Sequence, residues 1–361
     1  MITSIAFYLP QYHPCEENNI WWGKGFTEWT NVAKAKPLFY GHKQPNIPSE
    51  LGFYDLRLEE VRIAQAELAK QAGISAFCYW HYWFGNGKRL LERPFNEVIS
   101  SKNPDFPFCL AWANHSWYAK TWDKKGTKKL LIEQTYPGKD DFIAHFNELL
   151  PAFKDKRYLK YGNKPIFVVF KPLDIEFDYI SLWNDLAIKN GFDGVYFIGQ
   201  CSAKEKNAVL NKGYNAINRE EIHAVYARHN LFFRATKRLM SRVFRSPMRY
   251  DYSNAMNAAL DDVDKEEMVY PTICPNWDHT PRSGINGIVY TNSTPNAFAK
   301  HVSRVLDYLR EKKDENKIVF IKSWNEWGEG NYMEPDLRFG RQYIETYKRC
   351  IDKFDRHINE H

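Results

Sequence analysis

Residues 4–14 read SIAFYLPQYHP. A short apolar and aromatic run, strand-like in composition, stops at Leu9-Pro10 and passes directly into polar residues. A dinucleotide-binding doubly wound sheet would carry a glycine-rich phosphate loop at this point, and none follows. The same rhythm of apolar run and polar loop recurs at 74–83, 107–114, 165–172, 194–200, 214–220, 268–275 and 317–324. Helical periodicity occupies the intervals 56–72, 88–100, 139–153, 178–190, 203–211 and 295–312, with a terminal helix over 340–356. In the first of these, Leu58, Val61, Ala64 and Leu68 recur at helical spacing, with Asp55 as the predicted N-cap and Gly73 as the stop. Strands alternating with helices imply a parallel sheet covered on its outer face. Eight such units predict an α/β chain built as one (β/α)8 TIM-type barrel with extended βα loops, spanning 1–361.

A barrel does its chemistry where strands end and loops begin. Polar and aromatic residues collect at those positions: Tyr8, Gln11, Tyr12 and His13 after the first strand, and Trp80, His81 and Tyr82 in the second. Trp112, Asn114, His115 and Trp117 follow the third, and Trp277, Asp278, His279 and Arg282 follow the seventh. The eighth runs through residues 318–330, IVFIKSWNEWGEG, and delivers Glu326 and Glu329 between Trp324, Asn325 and Trp327. Cleaving or transferring a glycosidic bond needs two carboxyl groups at the anomeric carbon, one protonated and one ionised. Two glutamates three apart on a turn can face one pocket, about 5–6 Å apart at Cβ. An apolar site would separate their pKa values, because two close anions repel.

Aromatic residues make up 16% of the chain, including 12 Trp, which suits either an aromatic-rich core or stacking against sugar rings. Trp80, Trp112, Trp117, Trp122, Trp277 and Trp327 are candidate sugar platforms, and Trp29 lies in a long first loop able to cover a cleft. His81, His115, Asn114 and Asn325 are candidate partners for hydroxyls, as are Tyr8, His13, Asp278 and Glu334. Glu28 is a further carboxylate beside Trp29.

The net charge of +6 is local: Arg228, Arg234, Lys237, Arg238, Arg242, Arg245 and Arg249 stand in 228–249 without an acid, leaving about −1 elsewhere. That segment reads as a basic amphipathic insertion suited to an anionic membrane surface or a lipid-linked glycan. No nucleic-acid recognition motif accompanies the charge. The six cysteines form no C-x-x-C pair and sit partly in apolar runs, as free thiols in a reducing compartment do. No signal peptide or membrane span is evident, so the expected location is cytoplasmic, with peripheral contact to the inner membrane through 228–249. Asp261, Asp262 and Asp264 resemble a metal-binding D-x-D pattern, but their polar surroundings read as the solvated face of a helix. No metal or cofactor is expected.

Four blocks, AFYLPQYHP at 6–14, WWGKGFTEW at 21–29, FCYWHYWF at 77–84 and SWNEWGEG at 323–330, resemble the WbsX-type family. That family is glycosyltransferase-like and related to glycoside hydrolase family 99, the endo-α-mannosidase and mannanase group. The resemblance covers essentially the whole chain. It implies a metal-free barrel in which Glu326 deprotonates the sugar 2-hydroxyl to form a 1,2-anhydro intermediate, and Glu329 serves as general acid and then base. It further implies retaining action on a surface polysaccharide of O-antigen or capsule type. Two alternatives stay open: a glycosyltransferase of polysaccharide assembly using an activated or lipid-linked donor, and a non-catalytic glycan-binding barrel.

Overall fold

The first strand, β1 (Thr3–Tyr8), is buried along all but its first residue, as a strand enclosed on both faces must be. The computed structural model describes residues 2–119, 129–228 and 230–359, and within it β1 closes a ring. It pairs in parallel with β2 (Ala76–Trp83) on one side and β8 (Ile318–Ile321) on the other. From β2 the ring continues through β3 (Phe108–Trp112), β4 (Lys164–Val169), β5 (Tyr196–Cys201), β6 (Ala216–Arg219) and β7 (Val269–Ile273) to β8, every neighbour parallel. The fold is the eight-stranded (β/α)8 barrel that the strand rhythm predicts.

The covering helices follow the predicted intervals, α3 (Lys139–Phe153) and α7 (Pro295–Leu309) from the predicted starts and α1 (Glu59–Ala72), α2 (Arg93–Ser101), α4 (Tyr179–Lys189), α5 (Lys206–Asn211) and α8 (Gln342–Asn359) from later ones, while α6 (Leu231–Val243) lies in the basic segment. Asp55 does not cap α1. Its carboxylate is taken by the Arg57 backbone and guanidinium, and Leu58 occupies the cap position. Gly73 does stop α1, in a left-handed conformation at φ 79°. Helix α2 begins late because Arg89–Leu90 first turns back to pair with Tyr82 and Trp83. At α7, the Thr294 side chain accepts the Ala297 N–H, and Pro295 fills the first turn, where a missing N–H costs nothing.

Much of the aromatic content is core. Trp112, Trp183, Trp324 and Trp327 are fully buried, and Phe7 stacks on Trp80 and Phe320 at 4.8 and 5.3 Å inside the ring. The D-x-D segment is a solvated face only at Asp261 and Asp262, which are exposed. It is a short 3-10 turn (Asp262–Lys265) that buries Asp264 against Arg219 at the end of β6, with Arg219 Nε donating to Asp264 Oδ1 at 2.6 Å. A buried guanidinium needs such a carboxylate, and this one is consumed by it. All six cysteines are unpaired. Among the described residues, no helix is long and apolar enough to cross a membrane.

Candidate active site

Beyond Ile321 the chain folds on itself, Asn325–Glu326 pairing with Asn331–Tyr332 across a tight turn at Trp327–Glu329. Two glycines permit this turn. Gly330 adopts φ +68°, and a Cβ there would come within 2.8 Å of the Asp278 backbone nitrogen. A Cβ on Gly328 would stand 1.8 Å from Glu28 Oε1, so only glycine lets Glu28 approach.

Both glutamates of the turn reach one cation. Arg282 Nη1 donates to Glu329 Oε1 at 2.5 Å and to Glu326 Oε1 at 3.2 Å, while its Nε donates to Glu28 Oε1 at 2.9 Å. Ser323 donates to the other oxygen of Glu326 at 3.0 Å, and His279 Nε2 lies 3.5 Å from Glu329. Lys322, ion-paired with Glu220 at 3.3 Å, completes the charged floor. Burial and the neighbouring Glu329 charge push Glu326 above the usual carboxylate range, against the pull of Arg282 and Lys322. Burial acts on Glu329 in the same direction, but Arg282 and His279 outweigh it and hold Glu329 well below that range. As pH falls, Glu326 is therefore the first of the two to take up a proton.

The pair opens into a cavity of about 470 Å³ at the carboxyl end of the barrel. Its apolar wall is Trp80, Tyr82, Trp117, Trp22, Phe26 and Phe170, and its polar wall includes Gln11, His115, His279 and Lys322. Of the residues expected to bind substrate, Trp80 and Trp117 stand on this wall, as does His115.

The others lie elsewhere, each for a visible reason. Tyr8 and His81 project from their strands towards the helices: Tyr8 Oη donates to Gln65 of α1 at 2.5 Å, and His81 Nε2 lies 2.8 Å from His145 Nε2 of α3. Burial pushes His81 down to about 3, so it is neutral. Trp112 donates to the Trp83 carbonyl and packs on His145. His13 sits 2.9 Å from the Pro10 carbonyl, and Asn114 clamps both backbone groups of Lys171. Asn325 does the same to Leu9, holding the first loop to the last. Trp29 donates to the Tyr54 carbonyl and packs on Trp327, which stacks on Tyr332 at 3.7 Å and donates to Glu334. Trp324 packs on Phe77, and Trp277 on His223. Glu334 is buried beneath the turn, accepting from Gln65, Tyr54 and Trp327. Asp278 faces a different cavity of about 520 Å³, where His42, Gln44 and Thr280 saturate its carboxylate. Trp122 lies outside the described residues.

Arg282, Lys322 and the rings of Trp22, Phe26 and Phe170 escaped assignment from the sequence. A lone cation after a strand was the one available signal, and it marks Arg282 and Lys322 equally.

A closed parallel barrel with two carboxyl groups on the turn after its last strand defines the class of protein. Residues 4–347 match the family described as Glycosyltransferase WbsX, and the chain belongs to it. The uncharacterized protein WxcX of Xanthomonas campestris pv. campestris strain B100 is 34% identical over 361 residues, covering 97% of this chain and 50% of that protein. WxcX of strain ATCC 33913 is likewise 34% identical, over 359 residues. The chain thus spans about half the length of the curated relatives it matches. In fold it is similar to the GH99 endo-alpha-mannosidase of Bacteroides thetaiotaomicron, with TM-score 0.59, 11% identity, and 99% and 98% of the two chains covered. It is equally similar to a glycoside hydrolase-like protein, with TM-score 0.59, 14% identity, and coverage of 97% and 93%.

Proposed function

We propose that this chain cleaves or transfers a glycosidic bond of a surface polysaccharide, with Glu326 and Glu329 as its reacting carboxyl groups. The observation that carries this reading is the shared Arg282 nitrogen: it joins two carboxyl groups on one aromatic-walled cavity, where burial and the neighbouring charges shift Glu326 up and Glu329 down. Family membership and the likeness to an endo-alpha-mannosidase fold support it.

In the proposed sequence, Glu326 takes the proton of the sugar 2-hydroxyl and the 2-oxygen attacks C1. The C1–O bond breaks as Glu329 protonates the departing oxygen, leaving a 1,2-anhydro sugar. Water or an acceptor hydroxyl, deprotonated by Glu329, then opens the ring at C1, and Glu326 returns the proton to the 2-oxygen. Both displacements invert, so the configuration is retained. This order requires Glu326 ionised and Glu329 protonated, against the direction in which the Arg282 guanidinium shifts Glu329, so a sugar that weakened the Arg282–Glu329 pair would favour the required form.

Glu326→Gln and Glu329→Gln should each cut turnover by about 10²–10⁴-fold while glycan affinity holds. A glycosyl fluoride needs no protonation of its leaving group, so it should restore the first step in Glu329→Gln and not in Glu326→Gln. Rescue of Glu326→Gln alone would reverse the two roles, and undiminished turnover in both variants would refute the site. The product anomer, followed by NMR, reports retention.

A further inference from the structure

The helix α6 is packed inside out. An amphipathic helix of a folded chain ordinarily turns its apolar stripe to the core. Here the contacts with the body are made by the cationic side: Arg234 lies over the Tyr226 ring at 4.5 Å, Lys237 over the Tyr250 ring at 3.9 Å, and Lys237 Nζ donates to the Arg249 carbonyl at 2.9 Å. The apolar side chains described on this helix and at its end face solvent. Leu231, Phe232, Leu239, Met240, Val243 and Phe244 are between 57% and 79% exposed. Phe232, Leu239 and Val243 recur at helical spacing and form one stripe. Arg242 and Arg245 are exposed near it, Arg238 reaches back over the Tyr226 ring at 5.6 Å, and no acid occurs from 228 to 249.

We propose that this face docks on an anionic lipid bilayer, the stripe entering the acyl boundary and the arginines meeting lipid phosphates. Charge selects this occupant. A second copy of the same face would bring cations against cations, whereas an anionic headgroup layer neutralises them while its interior takes the apolar stripe. Position adds a consequence. Helix α6 lies in the connection leaving the carboxyl end of β6, the end that holds the glutamate pair. The strand following it, Met248–Asp251, pairs with Ile288–Thr291, in the same connection that supplies His279 and Arg282. Docking therefore anchors the chain through a connection at the cavity end of the barrel. The docking itself does not depend on the reaction proposed for that cavity.

Sedimentation of the full chain with vesicles tests this. The protein should pellet with vesicles containing about one third phosphatidylglycerol, far less with phosphatidylcholine alone, and less as salt rises. Phe232→Ser/Leu239→Ser/Val243→Ser should weaken partitioning by about tenfold or more. Arg242→Gln/Arg245→Gln should weaken it by about thirtyfold, from roughly 1 kcal/mol for each cation. All five side chains are exposed, so both variants should melt as wild type does. Failure to pellet with the anionic vesicles at low salt overturns the proposal, as does unchanged partitioning of the triple serine variant. Lipid-free self-association that the triple variant abolishes also overturns it, in favour of a protein interface. Glu329→Gln should pellet like wild type, which separates this result from that of the active-site test.

Discussion

Replacing Arg282 by glutamine removes one charge from among three acids. The guanidinium lies 2.9, 3.2 and 2.5 Å from oxygens of Glu28, Glu326 and Glu329, with 19% of its side chain exposed. Two opposite charges about 4 Å apart attract by about 4 kcal/mol at an effective dielectric near 20. Breaking a buried pair by deleting one partner costs about 3–5 kcal/mol, and a loss in that range is expected near pH 8. The loss should depend on pH, with a definite sign. In wild type, Glu329 is held below its ordinary range, so its stabilising effect is present above the unfolded carboxylate range and fades only as pH falls through the lowered folded value. Without Arg282, burial and the neighbouring acids favour the protonated form, so the variant loses stability as pH rises through the carboxylate range. The gap between the two proteins should therefore narrow towards about pH 5. Urea unfolding at both pH values measures it. The double variant Glu28→Gln/Arg282→Gln should regain part of the loss, because it removes one of the stranded acids. An equal gap at both pH values, with no recovery in the double variant, would mean that Arg282 acts by packing alone and that the charge argument fails.

Two further outcomes follow from single groups. Trp117 stands on the cavity wall against Tyr82 and Trp21, so Trp117→Ala should weaken glycan binding by about threefold to tenfold, the worth of one ring stack, with kcat changed less; titration with an oligosaccharide substrate reads this. Burial pushes Glu334 up to about 7 despite its three donors, so folded Glu334 keeps a proton that the unfolded chain has lost. Wild type should accordingly lose about 3 kcal/mol of stability as pH rises from about 4 to 7 through this group, a slope that Glu334→Gln should lack. A wild-type-to-variant difference that stays flat across that window would refute the assignment.

The barrel was legible because each strand is a short apolar run closed by loop residues, and that pattern does not depend on which side chain points where. The site depends on phase. Along a strand, successive side chains face opposite sides, so Phe7 and Trp80 enter the ring while Tyr8 and His81 leave it for the helices. In a parallel barrel both faces are apolar, and composition alone does not mark the inward one. Trp80 and His81 are adjacent in sequence and equally attractive as sugar partners, yet one walls the cavity and the other is locked to His145. Loop residues add a second difficulty. Asn114 and Asn325 stand where a ligand-binding amide would, but each is spent on holding another loop's backbone.

The glutamate pair was legible for a different reason. Its position follows from chain connectivity: a three-residue spacing on a turn bounded by glycines puts both carboxyl groups on one side whatever the strand phase. Connectivity does not determine charge. The opposed shifts of the two carboxyl groups depend on Arg282 and His279, some forty-five to fifty residues earlier on the loop after β7, and Arg282 is itself held by Glu28 from the first loop, whose approach exists only because residue 328 has no side chain. The barrel brings these remote segments to the same end, and the difference between the two glutamates is a property of that meeting: the same three-residue turn, without Arg282 and His279 beside it, would leave nothing to hold one carboxyl low while burial raises the other.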